Sequence, residues 1–211
     1  RRRRHLPHLT QQVMKVRTSK AIQGMAFFFI LHACSLAWAA PDAAAGKDKA
    51  KVCAACHGES GVSTIQGVPH LAAQPSLSIF YQLLQFRDQR RKGGGMEAIS
   101  ANLSEQDMRD IAAHYASLPP PPAHTGGDTQ KIARGQQIAQ QQYCSSCHGA
   151  QLQGQKHVPR LSGQSSEYFI TQLRNLRSGV RADMDGTMAS AARSLTDEEI
   201  EAMAVYARSL P

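Results

Sequence analysis

Apolar residues recur with helical spacing in two segments of the chain. Each segment places three of them at positions i, i+4 and i+7, which share one face of an α-helix. The two sets are Ile79, Leu83 and Phe86, and Phe169, Leu173 and Leu176. The second set follows the first at a constant offset of 90 residues, and no segment shows the strict alternation typical of a strand. The pattern predicts an all-α protein with two similar halves.

Other landmarks of the first half return in the second at nearly the same offset. Pro69 and Pro159 are 90 residues apart, and Met96 and Met188 are 92 apart. Each half also ends in a segment with Ser or Thr followed three residues later by an acidic residue, the capping box that starts a helix. These segments are 104–107 and 196–199. The repeated offset indicates a tandem duplication.

Four consecutive prolines, Pro119–Pro122, separate the two halves. Proline-rich segments are extended and stiff, as a linker between domains requires. The predicted limits are 40–118 for the first domain, 119–125 for the linker and 126–211 for the second domain. The Ala- and Gly-rich residues 40–47 are expected to be loose, and Asp128 is expected to cap a helix that runs into Cys144.

Residues 1–39 have the composition of a secretory leader. They contain 7 of the 24 Lys and Arg residues and no acidic residue. A positive segment follows Met14, an apolar run begins at Ala26, and a cleavage site of the A-x-A type ends at Ala39. A retained membrane anchor and a lipid on Cys34 are the alternatives. We expect export to the periplasm with cleavage near Ala39.

The formal charge of +8 comes mainly from the leader. From Ala40 onward the chain has 17 basic and 16 acidic residues. That balance argues against nucleic acid as a partner, because such proteins carry a marked basic excess. Peripheral association with a membrane stays open.

Each half contains one pentapeptide of the type C-x-x-C-H. The residues are Cys53, Cys56 and His57, and Cys144, Cys147 and His148. Because positions i, i+3 and i+4 share a helix face, two thiols can bond to one haem while the histidine binds its iron. A zinc ribbon would need C-x-x-C pairs about 15–20 residues apart, and a redox C-x-x-C expects a βαβ context. Structural disulfides are the remaining alternative. The motifs predict two covalently bound haem c groups.

A methionine on the other side of each iron would raise the reduction potential and close the site to ligands. In the first half the candidates are Met96, in a loop after three glycines, and Met108, at a helical core position. In the second half Met188 competes with Met184 and Met203. Met96 and Met188 each have a leucine seven residues further on, and they are the predicted ligands.

Each half resembles a class I cytochrome c, and the tandem pair is similar to the dihaem cytochrome c4 family. The resemblance rests on the motifs, prolines, methionines and terminal helices above, and it covers residues 43–118 and 126–211. It implies a small helical bundle around one haem in each domain, with the two haems approaching across the interface. It also implies that the carbonyls of Pro69 and Pro159 accept the ring N–H of the axial histidines.

Two features depart from the cytochrome c4 pattern, and the role of several basic residues is open. The loop before the first methionine is short, and His114 takes the position that Tyr206 has in the second half. Several basic residues either bind haem propionates or an acidic partner, or simply face solvent. They are Arg87–Lys92, and Arg174, Arg177 and Arg181.

The chain has no hydrolase motif, phosphate-binding loop or metalloprotease motif, so its chemistry is that of the cofactor. The sequence predicts an electron carrier and not an enzyme. It would pass electrons in the periplasm from a quinol-oxidising or dehydrogenase complex to a terminal oxidase or reductase. The alternative is the dihaem cytochrome subunit of a flavin-containing sulfide dehydrogenase or a similar complex. A dihaem peroxidase would need one iron with a coordination position open to peroxide. Two good methionine candidates argue against that function.

Overall fold

The computed structural model describes residues 39–211, and the regular structure in that range is helical. The extended pairing found there is one isolated bridge between Gln155 and Val158. Among these residues no helix has the length and apolar character that a membrane span requires. The predicted leader, including Met14 and Cys34, lies outside the described residues. For the part described, the all-α prediction is confirmed.

Each half of the described chain forms five helices in the same order. Those of the first half are α1 (Ala43–Lys49), α2 (Lys51–His57), α3 (Ser76–Arg87), α4 (Met96–Ala101) and α5 (Glu105–Ser117). Those of the second half are α6 (Thr129–Gln141), α7 (Cys144–His148), α8 (Ser166–Ser178), α9 (Thr187–Ala192) and α10 (Asp197–Ser209). The halves therefore repeat one plan, as the constant sequence offset predicts.

Helix α1 begins inside a segment that the sequence predicted to be loose. Asp42 accepts hydrogen bonds from the backbone N–H of Ala44 at 2.8 Å and of Ala45 at 3.2 Å, which satisfies donors at the helix start. The buried Gly46 then lies against α5. The expectation of a loose segment at 40–47 is wrong, because packing on a distant helix stabilises a stretch with little helical signal of its own.

The helix predicted from Asp128 into Cys144 is interrupted. Asp128 caps α6 as expected, but that helix ends at Gln141. Tyr143 then adopts a φ of 54°, a left-handed conformation that cannot continue a right-handed helix. The second C-x-x-C-H motif therefore occupies a short helix of its own.

The predicted apolar stripes form the core of each half. All six of their side chains are at most 7% exposed. Ile79 and Leu83 of α3 share a core with Ile111 of α5, and Leu173 of α8 shares one with Ile200 of α10. Burial of these side chains removes apolar surface from water and favours the packing of α3 on α5 and of α8 on α10.

Both predicted capping boxes are confirmed. They are Ser104 with Asp107 at the start of α5 and Thr196 with Glu199 at the start of α10. Helix α5 packs on α1 and α10 packs on α6. Between α1 and α5, the Lys49 ammonium lies 2.7 Å from Asp107 and 2.6 Å from the buried Asp110. The first and last helices of this half are thus joined by charge as well as by packing.

The proline segment lies against the second half. Pro121 is buried, and a Cβ added to Gly163 would be 3.1 Å from the Pro121 carbonyl oxygen. The N–H of His124 donates to the carbonyl of Arg208 at 3.0 Å. The domain limits 40–118, 119–125 and 126–211 stay predictions.

Candidate haem centres

Each C-x-x-C-H motif lies within one short helix. Helix α2 carries Cys53, Cys56 and His57, and helix α7 carries Cys144, Cys147 and His148. In each motif the first cysteine is half-buried and the second is exposed, and none of the four forms a disulfide. Two thiols and one imidazole therefore share a helix face, as covalent haem attachment requires.

A glycine ends each motif helix. Gly58 has a φ of 80° and Gly149 a φ of 85°, a conformation that costs other residues energy. A Cβ added to Gly58 would also lie 2.4 Å from the carbonyl oxygen of Val62. The chain can therefore turn back immediately after the histidine, and the Ser63 hydroxyl donates to the Cys56 carbonyl at 2.7 Å.

The motif histidines are buried and held by proline carbonyls. Nδ1 of His57 lies 2.9 Å from the Pro69 oxygen, and Nδ1 of His148 lies 2.8 Å from the Pro159 oxygen. A carbonyl can only accept, so Nδ1 carries the proton and Nε2 keeps its lone pair. Nε2 of His148 is buried without a hydrogen-bond partner among the described residues. A buried ring nitrogen with an unused lone pair is suited to bind iron. The motif residues therefore fit a haem.

The environment favours the uncharged form of both rings. Burial lowers the pKa of His57 and of His148, although the bond to the proline carbonyl acts in the opposite direction. Neutral imidazole is the form that binds a metal. Burial also raises the pKa of the Cys53 and Cys144 thiols. In each motif, burial thus favours the uncharged forms of the histidine and of the first cysteine.

Met96 and Met188 occupy matching places in the first turns of α4 and α9. Each helix is preceded by a glycine in the left-handed region, Gly95 with a φ of 93° and Gly186 with a φ of 77°. Both methionines are half-buried and border the same core cluster as the first cysteine of their half. The expectation that Met96 lies in a loop is wrong, because the glycine turn is followed at once by a helix.

The competing methionines are placed differently. Met184 is 62% exposed, so its side chain lies largely in solvent. Met108 is 0% and Met203 5% exposed, and both fill the cores around α5 and α10, the usual role of a buried methionine. This geometry favours Met96 and Met188, whose role as iron ligands stays a prediction.

Two arginines meet where the halves contact each other. Arg91, 6% exposed, donates to Gln82, Tyr168 and Gln172, and Arg181 donates to the same two glutamines. Nε of each arginine is buried without a hydrogen-bond partner among the described residues. Burial and the neighbouring Arg91 lower the pKa of Arg181 to about 10. Both arginines are hydrogen-bonded to uncharged side chains, and the Asp183 carboxylate acts on the pKa of Arg181 in the direction opposite to Arg91. Two adjacent cations would attract a further anion, and haem propionates have that chemistry.

Other members of the predicted basic clusters pair with acidic side chains on the surface. Arg174 and Arg177 lie 3.1 Å and 2.6 Å from Asp197. Such exposed pairs contribute little to stability. Of the choices that the sequence left open, the propionate interpretation suits Arg91 and Arg181, and the solvated one suits Arg174 and Arg177.

Comparison with known proteins agrees with this geometry. Residues 132–211 match the family model described as "Cytochrome c", and residues 41–114 match the one described as "Cytochrome C oxidase, cbb3-type, subunit III". Over 186 residues the chain is 36% identical to cytochrome c4 of Pseudomonas aeruginosa, covering 83% of this chain and 92% of that relative. The chain belongs to the cytochrome c4 family.

Further comparisons extend the family assignment. Reduced recombinant cytochrome c4 from Pseudomonas stutzeri has a solved structure that matches with a TM-score of 0.76 and 30% identity, covering 82% of this chain and 100% of that one. A protein of Thiomonas intermedia named thiosulfate dehydrogenase electron acceptor is 31% identical over 189 residues, covering 84% of this chain and 87% of the relative.

Membership in the cytochrome c4 family fixes the cofactor and the general activity. The chain contains two cytochrome c domains. It binds two covalent haem c groups, one at Cys53 and Cys56 and one at Cys144 and Cys147. It is an electron carrier and not an enzyme. The cofactor and activity predicted from the sequence are confirmed.

Two buried glutamines at the domain interface were not predicted from the sequence. Gln74 and Gln164 form hydrogen bonds from one domain to the other. Each lies five residues after the proline whose carbonyl holds a motif histidine, Pro69 or Pro159. That shared spacing is the signal by which they could have been found.

Proposed function

We propose that the chain is exported, loses its leader near Ala39 and carries electrons in the periplasm through two six-coordinate irons. The iron ligands are His57 with Met96 in the first domain and His148 with Met188 in the second. Haem iron supplies the one-electron couple between Fe(III) and Fe(II). The observation that supports this ligation most directly is the bond from each histidine Nδ1 to a proline carbonyl, which leaves Nε2 for the metal.

The methionines decide between carrying electrons and catalysis at the iron. A thioether ligand favours reduced iron and leaves no coordination position for peroxide or another substrate. Met96 and Met188 are half-buried at the edge of a core, where packing limits their freedom to swing into solvent. Electron entry and exit then need no bond to be made or broken at either centre.

The partners are redox proteins of two classes, an electron donor and an electron acceptor. Val52 and Tyr143 are 58% and 76% exposed and directly precede the first cysteine of each motif. Exposed apolar side chains beside a redox centre suit transient docking, and the balanced charge from Ala40 onward gives that docking a moderate salt dependence. The donor is a dehydrogenase or quinol-oxidising complex, and the acceptor is a terminal oxidase or reductase. The name of the Thiomonas relative supports a dehydrogenase as donor.

Stopped-flow kinetics of the exported, haem-loaded protein test this function. We expect fast reduction by a thiosulfate dehydrogenase or a quinol-oxidising complex, and fast reoxidation by a terminal oxidase. Val52→Ser and Tyr143→Ser should slow these reactions, whereas Val180→Ser, at a position 72% exposed and outside the motifs, should not. Peroxide or sulfide turnover by the isolated protein would overturn the proposal. Tight copurification with a flavoprotein would favour the sulfide dehydrogenase subunit instead.

A further inference from the structure

The side-chain amides of two glutamines cross the domain interface in a reciprocal arrangement. Oε1 of Gln164, in the second domain, accepts the N–H of His70 at 2.8 Å, and its Nε2 donates to the His70 carbonyl at 3.0 Å. Oε1 of Gln74, in the first domain, accepts the N–H of Arg160 at 3.0 Å, and its Nε2 donates to the Arg160 carbonyl at 2.8 Å. Each glutamine thus holds one residue of the opposite domain by both of its backbone polar groups.

Both glutamines are buried and occupy equivalent positions. Gln164 is 4% and Gln74 is 8% exposed, and they lie 90 residues apart, the offset of the duplication. Oε1 of Gln164 also accepts the N–H of Ser165 at 2.9 Å. Buried amides are costly unless they are hydrogen-bonded, so these contacts are specific features of the interface.

The residue that each glutamine holds directly follows the proline beside a motif histidine. The Pro69 carbonyl and the His70 N–H are the two ends of one peptide group, and the same is true of Pro159 and Arg160. At one end of the first peptide group, His57 Nδ1 donates to the Pro69 oxygen at 2.9 Å. At the other end, the His70 N–H donates to Gln164.

The second domain repeats this chain of hydrogen bonds with the domains exchanged. His148 Nδ1 donates to the Pro159 oxygen at 2.8 Å, and the Arg160 N–H donates to Gln74 at 3.0 Å. Hydrogen bonds in series polarise one another. An acceptor on the N–H end of a peptide group therefore makes its carbonyl oxygen a stronger acceptor for the histidine.

We propose that Gln74 and Gln164 are positioning residues that tune the reduction potential of the haem in the opposite domain. Gln164 strengthens the His57–Pro69 bond, and Gln74 strengthens the His148–Pro159 bond. A stronger bond to the second ring nitrogen raises the basicity of a histidine ligand, and a more basic ligand stabilises Fe(III). Docking of the domains thereby lowers both potentials. The inference rests on the proposed iron ligation by His57 and His148.

Two features distinguish tuning from simple adhesion between the domains. They are the direction of the shift in reduction potential and the domain whose haem shows it. Gln164→Met keeps the side-chain length but removes the acceptor, so it should raise the potential of the first-domain haem and leave the other unchanged. Gln74→Met, the matched control, should raise the potential of the second-domain haem instead. Gln164→Glu keeps an acceptor oxygen, so it should not raise the first-domain potential.

Potentiometric titration of the holoprotein gives the two potentials, and NMR of the oxidised protein assigns each to a domain through its hyperfine-shifted haem methyl signals. The expected result is a rise in one potential in each Met variant, always in the opposite domain. Equal shifts of both haems, a shift in the variant's own domain, or no shift would overturn the inference. The visible spectrum of the wild-type protein tests histidine and methionine ligation separately.

A measurement on the wild-type protein covers the case in which a variant does not fold. The backbone N–H groups of His70 and Arg160 should be strongly protected from hydrogen exchange in the holoprotein, because each donates to a buried glutamine of the other domain. Exchange of either N–H at the rate of a solvent-exposed amide would overturn the inference.

Discussion

Gly135 lies so close to Tyr206 that a Cβ on the glycine would be 2.6 Å from the Cβ of the tyrosine, and 2.2 Å from the Ala202 carbonyl oxygen. Gly46 has the same relation to His114, with a distance of 3.0 Å. The first and last helices of each domain therefore cross at a glycine. The same correspondence confirms that His114 takes the place of Tyr206.

Gly135→Ala should lower the stability of the holoprotein. Alanine favours an isolated helix by about 0.5–1 kcal/mol, but overpacking costs about 1–3 kcal/mol, and the contact here is with backbone that cannot easily move. We expect the midpoint of unfolding by urea or by heat to fall. Gln136→Ala, on the exposed side of the same helix, should have no such effect. A Gly135→Ala protein as stable as the wild type would contradict the close crossing.

Each C-x-x-C-H motif should account for one haem on a processed chain. The intact mass of the exported protein should equal the chain from about Ala40 plus two haem groups. The double variant Cys53→Ala, Cys56→Ala should lack the mass of one haem, because both thioether bonds of that site are lost. Cys34→Ala should leave the mature mass unchanged. A mass that changes with Cys34→Ala would show that the leader is retained or lipidated.

Met96→Ala and Met188→Ala should each open one iron. Each variant should lose about half of the weak sulfur-to-iron absorption band of the oxidised protein and show one lowered reduction potential. Met184→Ala is the matched control, because Met184 lies in the same segment but is 62% exposed. Loss of the band in Met184→Ala with the band retained in Met188→Ala would transfer the ligand role to Met184.

The contact between Lys49 and Asp107 should make the first domain sensitive to acid. Hydrogen bonds from Lys49 and Ser104 lower the pKa of Asp107 from 3.8 to about 2. A lowered pKa stabilises the folded state above the unfolded pKa, and this contribution is lost as the pH falls through the folded value. The free energy of unfolding should therefore decline between pH values of about 4 and about 2.

Urea unfolding at a series of pH values checks the acid effect. Asp107→Asn should reduce stability near neutral pH and flatten the decline in acid, because one of the two charge partners of Lys49 is gone and only Asp110 remains. Asp48→Asn is the control, since Asp48 and Lys51 form a pair that is 78% and 77% exposed and such pairs contribute little. Identical pH profiles for Asp107→Asn and the wild type would refute this role of Asp107.

Local sequence determined the cofactor and most helices. The attachment residues of each haem, such as Cys53, Cys56 and His57, fall within one pentapeptide, so their geometry follows from a single helical turn. The apolar stripes and both capping boxes are likewise contained within a few residues. Such signals need no knowledge of distant parts of the chain, and the structure confirms them.

Tertiary structure decided what depends on residues far apart in the chain. Helix α1 forms because Gly46 fits against α5, and the loose segment expected there is an error that no local pattern could correct. The separation of Arg181 at the interface from Arg174 on the surface depends on which neighbours the fold supplies. The link between Gln164 and His70 joins residues 94 positions apart. Hydrophobic periodicity describes which face is buried, but only the packed fold selects its partner.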